Sequence, residues 1–257
     1  MPAPNDSIDL SAEQIDSFHR DGFLAIERVT TNAEIAALRP IFDETFFGWR
    51  DKPEFAPRDL AGRKGEADEG RVLQMHDISK NVPAFAESIM RRNAISIAAQ
   101  LLGAQSEFRT DHAISKPSGS LAETAWHQDQ FYWDPANEYR RVTIWMPLQD
   151  VDEKSGCMHF VSRQHVPDII PHHKQDRDPN SHAWDADRDF FDTAVAAPCP
   201  LAAGGATVHY GKTLHFTTGN RSTEPRRAYI VSCGDPASEV EYDADKVRAL
   251  GFDLDAG

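Results

Sequence analysis

The chain has 257 residues, 40% of them hydrophobic and 26% charged, which is enough apolar material to bury a core of ordinary size. A formal net charge of −14 argues against a nucleic-acid-binding protein and against adhesion to an anionic membrane, because both need clustered Lys and Arg. Cys157, Cys199 and Cys233 show no CxxC spacing, so we expect reduced thiols rather than a disulfide or zinc framework. The opening MPAPNDSIDL lacks the basic and apolar segments of a secretory signal, and we therefore expect a cytoplasmic protein without a membrane span.

The first third of the chain is predicted to be mainly helical. Ser11 and Gln14 have the spacing of a capping box, and Gly22 supplies a stop signal after HRD, so the first helix is expected between them. A short strand is predicted at 23–29, where apolar residues follow the stop signal directly.

Three longer segments complete this part of the chain. A second helix is predicted at 32–47, and Pro40 is expected to kink or shorten it. The polar segment 49–70 is rich in Pro, Gly and charge, which is typical of a long loop or lid. A further helix is predicted at 82–102 and closed by Gly103.

From Phe108 onward the pattern changes to short strands separated by turn clusters such as KPSGS, DEKSG and AAGG. The strand candidates are 108–116, 126–133, 141–148, 158–162, 206–210 and 227–232. Helices followed by many short strands predict a mainly β fold, an antiparallel sandwich or barrel with N-terminal helices packed against it. We expect one domain over 1–257, with a helical layer at about 11–103 and a β core at about 106–235, interrupted by a His- and Asp-rich insertion at 165–192.

A His-x-Asp sequence, which can supply two metal ligands, occurs twice. His19 and Asp21 lie at a predicted helix end, where residues two apart point in widely different directions and cannot share an ion. His127 and Asp129 lie in a predicted strand, where positions i and i+2 face the same side. The second pair is therefore the candidate metal site.

A third ligand is expected from a later strand that folds back beside the first. His215 follows a Gly-Gly turn and a strand, and two imidazoles with one carboxylate can occupy one face of a ferrous ion while the opposite face stays open. His209, six residues earlier, is the competing ligand. A zinc site in the insertion, built from His172, His173 and His182, is a further alternative that no spacing favours.

Two adjacent arginines, Arg226 and Arg227, are predicted to face opposite sides of the last strand. One can enter the barrel while the other meets solvent. A buried arginine needs an anionic partner, and its planar guanidinium suits a carboxylate. The composition does not choose between the two.

At this point the chain resembles the phytanoyl-CoA dioxygenase (PhyH) family of iron(II)/2-oxoglutarate-dependent oxygenases. The resemblance extends from about Gln14 to Asp235. The segments that carry it are RDGF, LLG, ISKP, WHQDQFYW, TIWMPLQDVDEKSGCMHFVSRQH and TLHFTTGNRSTEPRRAYI. It implies a double-stranded β-helix, or jelly roll, buttressed by helices.

The resemblance also implies roles for individual residues. It makes His127, Asp129 and His215 the iron ligands and picks Arg226 rather than Arg227 as the partner of the distal 2-oxoglutarate carboxylate. The pocket residues that it implies are Trp145, Thr217 and His112, all facing the co-substrate.

The implied reaction is hydroxylation of an unactivated C–H bond with O2 and 2-oxoglutarate, releasing succinate and CO2. We expect a small metabolite or natural-product intermediate as substrate, because no basic cluster is evident for the phosphates of coenzyme A. The alternatives are an acyl-CoA hydroxylase of the same family and a non-catalytic metal- or ligand-binding protein of cupin type. Nothing in the composition indicates an oligomeric state.

Overall fold

The computed structural model describes residues 7–48, 56–62, 70–252 and 254. Its first helix, α1 (Ala12–Asp21), has both predicted ends. The Ser11 hydroxyl accepts a hydrogen bond from the Gln14 N–H, and the Gln14 side chain bonds back to the Ser11 N–H, which satisfies two free donors at the helix start. Gly22 ends the helix in the left-handed conformation with a φ of 85°. Strand β1 (Phe23–Ile26) follows at once, as predicted.

At Gly22 we expect a single added methyl group to destabilise the fold. Its Cβ would lie 2.8 Å from Oγ1 of Thr213, which is itself held by a hydrogen bond to the Gly22 carbonyl. We expect Gly22→Ala to lower the free energy of unfolding by about 1–3 kcal/mol, measured by urea denaturation. Gly119→Ala is the matched control, because Gly119 has a φ of 72° but no described atom within 4 Å of its added Cβ. Equal losses in the two variants would rule out a contribution from the Thr213 contact.

Helix α2 (Asn32–Phe47) has the predicted bounds and continues through Pro40, so the expectation that the proline shortens the helix is wrong. Proline costs one backbone hydrogen bond within a helix. Burial of the apolar face offsets that loss. The side chains of this face that enter the main core are Ile35, Leu38, Phe42 and Phe46.

The single helix predicted at 82–102 is wrong in its first part. Two helices cover this region, α4 (Pro83–Ala86) and α5 (Ile89–Leu102), and a short helix, α3 (Ile78–Asn81), directly precedes it. Ser88 separates the last two, because its hydroxyl accepts the Arg91 N–H at the start of α5. Gly103 ends α5 as predicted. None of the helices within the described ranges has the length and apolar character needed to cross a lipid bilayer.

The strands after β1 are short and mostly antiparallel. They are β2 (Arg58–Asp59), β3 (Leu73–His76), β4 (Glu107–Lys116), β5 (Thr124–His127), β6 (Asn137–Glu138), β7 (Arg141–Pro147), β8 (Met158–Phe160), β9 (His172–Lys174), β10 (Trp184–Ala186), β11 (Ala197–Cys199), β12 (Ala206–Tyr210), β13 (His215–Thr217), β14 (Arg226–Gly234) and β15 (Ser238–Glu239), before helix α6 (Ala244–Ala249). Five of the six predicted strands are confirmed to within a few residues. The sixth, at 126–133, is wrong in its second half, because β5 ends at His127 and a 3-10 turn (Asp129–Tyr132) follows.

Two antiparallel sheets enclose an apolar layer. Within the described ranges the major sheet has the order β1–β12–β7–β14–β4–β3–β2, and the minor sheet has the order β11–β8–β13–β5. The helices cover the outer face of the major sheet, where Tyr229 and Ile144 join the larger core cluster. On its inner face Trp145 and Ile230 pack against Met158 and Phe160 of the minor sheet. The predicted mainly β fold with N-terminal helices is confirmed.

The described part of the segment predicted as a loop or lid contacts the insertion at 165–192. The segment 49–70 falls mostly outside the described residues, and its described part, 56–62, contains β2. The insertion at 165–192 holds the paired strands β9 and β10, which the sequence pattern did not reveal. The backbone N–H of His182 donates to the Gly62 carbonyl at 3.1 Å, so the insertion contacts the 56–62 segment directly.

Candidate metal centre and co-substrate pocket

Three predicted ligands converge where the edge strand β5 of the minor sheet pairs with its neighbour β13. His127 is the last residue of β5 and lies directly opposite His215, the first residue of β13, so both imidazoles project from one face. Their ring centroids are 4.1 Å apart. Asp129 opens the 3-10 turn that follows β5. The predicted convergence is therefore present, but the turn, rather than strand alternation, brings Asp129 to the two histidines.

The three donor atoms have a spacing that suits a metal ion. Oδ1 of Asp129 lies 3.7 Å from Nε2 of His127 and 3.6 Å from Nε2 of His215. All three ligand atoms lie within 4.8 Å of one another. Metal bonds of about 2.0–2.2 Å at right angles need ligand atoms about 3 Å apart, so small side-chain movements complete the site. Among the described residues, this is the group whose His and Asp side chains could hold a metal ion.

Backbone carbonyls orient both imidazoles. Nδ1 of His127 is 2.7 Å from the Ala125 carbonyl oxygen, and Nδ1 of His215 is 2.9 Å from the Thr213 carbonyl oxygen. A carbonyl can only accept, so each Nδ1 carries the proton and each Nε2 has a free lone pair. This arrangement presents Nε2 of both rings to a metal ion.

Burial sets the charge state of the site. It lowers the pKa of His127 and lowers that of His215 well below its usual range, so both imidazoles are neutral at neutral pH. Burial would raise the pKa of Asp129, but His215 and the hydrogen bond from His209 outweigh it and hold this pKa well below its ordinary value. Two neutral imidazoles and one carboxylate therefore face the centre.

The competing histidines lie elsewhere or make other contacts. His19 lies in the last turn of α1 and bonds the Tyr210 hydroxyl, while Asp21 pairs with Arg20, so the first His-x-Asp sequence is a helix end as predicted. The histidines of the insertion bond to backbone carbonyls through their Nδ1 atoms and do not form a metal group within the described residues; they are His172, His173 and His182. His209 lies close to the centre, and its Nε2 is 3.3 Å from Oδ2 of Asp129.

Arg226 is a buried cation that faces the space between the sheets. Its side chain is 2% exposed, and its Nε and Nη1 have no hydrogen-bond partner among the described residues. The guanidinium carbon lies 5.4 Å from the centre of the Trp145 ring, and burial lowers the arginine pKa to about 10. An unpaired buried guanidinium has the properties of an anion-binding group.

Arg227 faces the opposite side, as strand alternation predicts. It does not meet solvent, because its Nε and Nη2 donate to the Asp43 carboxylate of α2 at 2.5 and 2.8 Å. The expectation of a solvated second arginine is therefore wrong. Arg227 therefore links the sheet to the helical layer. Its anionic partner is the Asp43 carboxylate.

A second buried cation, Lys116, lies beside Arg226, its register partner on the neighbouring strand. Its Nζ donates to Oγ1 of Thr217 and to the Thr218 carbonyl, each at 2.8 Å. Burial and the nearby Arg226 hold the pKa of Lys116 well below its usual range. Lys116 was not among the residues predicted from the sequence. Its position in ISKP, four residues after His112 on one strand, was the available signal, because residues i and i+4 share a face.

The remaining predicted pocket residues line the same face of the major sheet. His112 and Trp145 lie on either side of Ile230 in one row of register partners. Burial lowers the pKa of His112 to about 4, so its imidazole is neutral. This face of the sheet therefore presents the His112 imidazole and the Trp145 indole in one row, and the basic side chains of Lys116 and Arg226 in another.

The sequence that contains this site matches the model of a protein family. The model of the phytanoyl-CoA dioxygenase (PhyH) family matches residues 18–228, which is most of the chain and includes every residue of the site. The chain belongs to the phytanoyl-CoA dioxygenase family. Among relatives, the ectoine dioxygenase of Bordetella parapertussis is 24% identical over 230 residues, which are 84% of this chain and 73% of that protein. The phytanoyl-CoA dioxygenase of Arabidopsis thaliana is 22% identical over 255 residues, which are 86% of this chain and 87% of that protein.

Solved structures of oxygenases share the fold. EvdO2 from Micromonospora carbonacea var. aurantiaca, complexed with 2-oxoglutarate, is 29% identical, with a TM-score of 0.76 over 92% of this chain and 95% of that one. The 2-oxoglutarate-dependent carbocyclase SnoK from nogalamycin biosynthesis is 22% identical, with a TM-score of 0.69 over 90% of this chain and 87% of that one; it shows the fold alone.

The donor set fits the cofactors of the phytanoyl-CoA dioxygenase family. Two imidazoles and one carboxylate suit iron(II), and the unpaired atoms of Arg226 suit a carboxylate such as that of 2-oxoglutarate. Like its relatives, the protein is an iron(II)/2-oxoglutarate-dependent oxygenase that uses O2.

Proposed function

We propose that His127, Asp129 and His215 bind iron(II) and that Arg226 binds the distal carboxylate of 2-oxoglutarate. The observation that carries this proposal is the buried Arg226 guanidinium, in which two nitrogen atoms have no hydrogen-bond partner among the described residues. It lies on the same face of the sheet as a residue that contacts the metal donors. Thr143, which bonds Asp129, and Trp145, which lies by Arg226, are alternate residues of β7 and share its inner face. A buried cation needs an anion there, and a dicarboxylate bound to the metal at one end can supply it.

Three further residues support the same co-substrate in this proposal. Lys116 adds a second basic group that can donate hydrogen bonds, and Thr217, already bonded to it, places a hydroxyl beside the carboxylate. Trp145 covers the Arg226 guanidinium, and His112 offers a neutral imidazole on the same face. We also infer that the two sheets form a double-stranded β-helix within one domain over 1–257.

The proposed reaction is hydroxylation of an unactivated C–H bond. Bound iron would supply the oxidation, in which one atom of O2 enters the substrate as hydroxyl and the other enters succinate as 2-oxoglutarate loses CO2. The protein's own residues keep the site ready: neutral imidazoles leave Nε2 of His127 and His215 free, and Asp129 stays ionised. The apolar layer between the sheets excludes water from the space around Arg226.

We propose a small metabolite or natural-product intermediate as the substrate. A cavity of about 450 Å³ lies beside the metal centre, bounded by Tyr132, whose ring is 5.8 Å from that of His127. Aromatic side chains dominate its wall: Phe131, Tyr132, Trp133, Trp184, Tyr242 and Phe252. Asp134 is its charged residue, and no Lys or Arg is among the described residues that line it. This lining favours an uncharged or cationic small molecule over coenzyme A thioesters, whose phosphates need cations.

We further propose a cytoplasmic location. The three cysteines are free and buried, which supports a reducing compartment.

We also propose that the contact between 56–62 and the insertion forms the lid over this cavity. The hydrogen bond from His182 to Gly62 joins these two segments. Ectoine, named in one relative, and nogalamycin biosynthesis, named in another, are precedents for small substrates.

The test is anaerobic addition of iron(II) and 2-oxoglutarate to the metal-free protein, followed by exposure to air. We expect a weak visible metal-to-ligand charge-transfer band that needs both additions, and succinate formation once O2 is admitted. Protein held with a chelator is the control and should show neither. A band without succinate, even with a panel of candidate substrates, would favour the non-catalytic binding alternative. Absence of both would exclude the proposal.

A further inference from the structure

The two oxygens of the Asp129 carboxylate have different surroundings. Oδ1 faces the Nε2 atoms of His127 and His215 at 3.7 and 3.6 Å. Oδ2 is turned away, 2.6 Å from Oγ1 of Thr143 and 3.3 Å from Nε2 of His209. Only one oxygen is therefore directed at the metal centre.

The protons of these two hydrogen bonds can be assigned. An ionised carboxylate only accepts, so the Thr143 hydroxyl and the His209 Nε2–H are both donors to Oδ2. His209 is 1% exposed, and its Nδ1 has no hydrogen-bond partner among the described residues. While Nε2 donates to Asp129 it cannot bind a metal. His209, the competing ligand candidate, thus donates a hydrogen bond to Asp129 instead of binding the metal.

Both donors lie on a rigid part of the molecule, whereas Asp129 lies on a turn. Thr143 and His209 are directly opposite each other on β7 and β12, two neighbouring strands of the major sheet. Asp129 begins the 3-10 turn after β5, and its side chain reaches across to them. The pair therefore fixes the rotation of a carboxylate whose own backbone is not held in a strand.

We propose that Thr143 and His209 are positioning residues that restrict Asp129 to binding iron through Oδ1 alone. This inference rests on the proposed function of the three donors. A carboxylate free to rotate can bind through both oxygens and occupy one more position on the metal. Holding Oδ2 away keeps that position open for the co-substrate. The pair acts through Asp129 and touches neither the iron nor 2-oxoglutarate.

The test compares variants of the two donors by anaerobic binding of cobalt(II), a spectroscopic substitute for iron(II), and then of 2-oxoglutarate. We expect Thr143→Val, which keeps the shape and removes the hydroxyl, to weaken metal or 2-oxoglutarate binding by roughly 10–100-fold and to change the cobalt visible spectrum. Thr143→Ser and His209→Gln keep a donor and should remain within about threefold of wild type. His209→Leu should resemble Thr143→Val.

Thr207→Val is the matched control, because the buried Thr207 hydroxyl on the inner face of β12 has no hydrogen-bond partner among the described residues. It should bind the metal and 2-oxoglutarate like wild type. Normal binding and an unchanged spectrum in both Thr143→Val and His209→Leu would overturn the inference, as would an equal loss in Thr207→Val. Loss of metal in His209→Gln with retention in Asp129→Asn would instead make His209 a ligand. Failure of the wild-type protein to bind cobalt or 2-oxoglutarate would mean that the proposed function itself is wrong.

Discussion

His127→Ala is expected to abolish stoichiometric iron(II) binding and, with it, 2-oxoglutarate turnover. Removing one of three donors leaves one imidazole and one carboxylate, which hold a divalent ion too weakly to survive gel filtration. The fold should persist, because the lost side chain lies at a strand end and, among the described residues, its hydrogen bond goes to the Ala125 carbonyl. Iron content after anaerobic loading and gel filtration measures the effect, and thermal unfolding confirms that the variant is folded.

The chain supplies its own control for this result. His19→Ala alters the other His-x-Asp sequence, which lies at the end of α1 and contacts the Tyr210 hydroxyl. This variant should bind one iron per chain, as wild type does. Full iron content in His127→Ala would show that a different histidine is the ligand, and His209 would be the first to test.

Arg226→Ala is expected to raise the 2-oxoglutarate KM by about two orders of magnitude. The missing guanidinium removes a desolvated, charge-assisted contact, and a loss of about 2.7 kcal/mol corresponds to a hundredfold change. Iron affinity should change much less, because Arg226 donates to none of the three metal donors. Succinate formation at varied 2-oxoglutarate, with iron in excess, separates these two effects.

Arg227→Ala is the matched control on the adjacent position. Its loss breaks the pair with Asp43 and should lower the free energy of unfolding by about 2 kcal/mol, with little change in the 2-oxoglutarate KM. If Arg227→Ala raises the KM and Arg226→Ala does not, the two arginines have been assigned to the wrong sides of β14.

The sequence predicts best those features that depend on neighbours along the chain. The capping box at Ser11 and the stop at Gly22 involve only local contacts, and both are confirmed. Alternation on one strand likewise separates Arg226 from Arg227. The three predicted metal donors do converge, although His127 and Asp129 are brought together by a strand end and a turn rather than by one strand.

Features that depend on register between distant strands were not predicted. Lys116 lies next to Arg226 only because β4 and β14 pair at that register. Thr143 and His209 meet at Oδ2 of Asp129 because β7 and β12 are neighbours. No spacing within the chain encodes these pairings, and they follow only from the completed sheet. The lid at 49–70 stays a prediction, and its parts 49–55 and 63–69 lie outside the described residues.

The side-by-side burial of Lys116 and Arg226 makes this enzyme's stability depend on its co-substrate. Without a bound anion, two basic side chains lie side by side in a low-dielectric space, where burial lowers the pKa of both and the Arg226 charge lowers that of Lys116 further. A dicarboxylate bound beside these two groups, as proposed, would require the folded chain, so its free energy of binding would add to that of folding. The resistance of the protein to heat should therefore follow the 2-oxoglutarate concentration, and through it the supply of the metabolite in the cell.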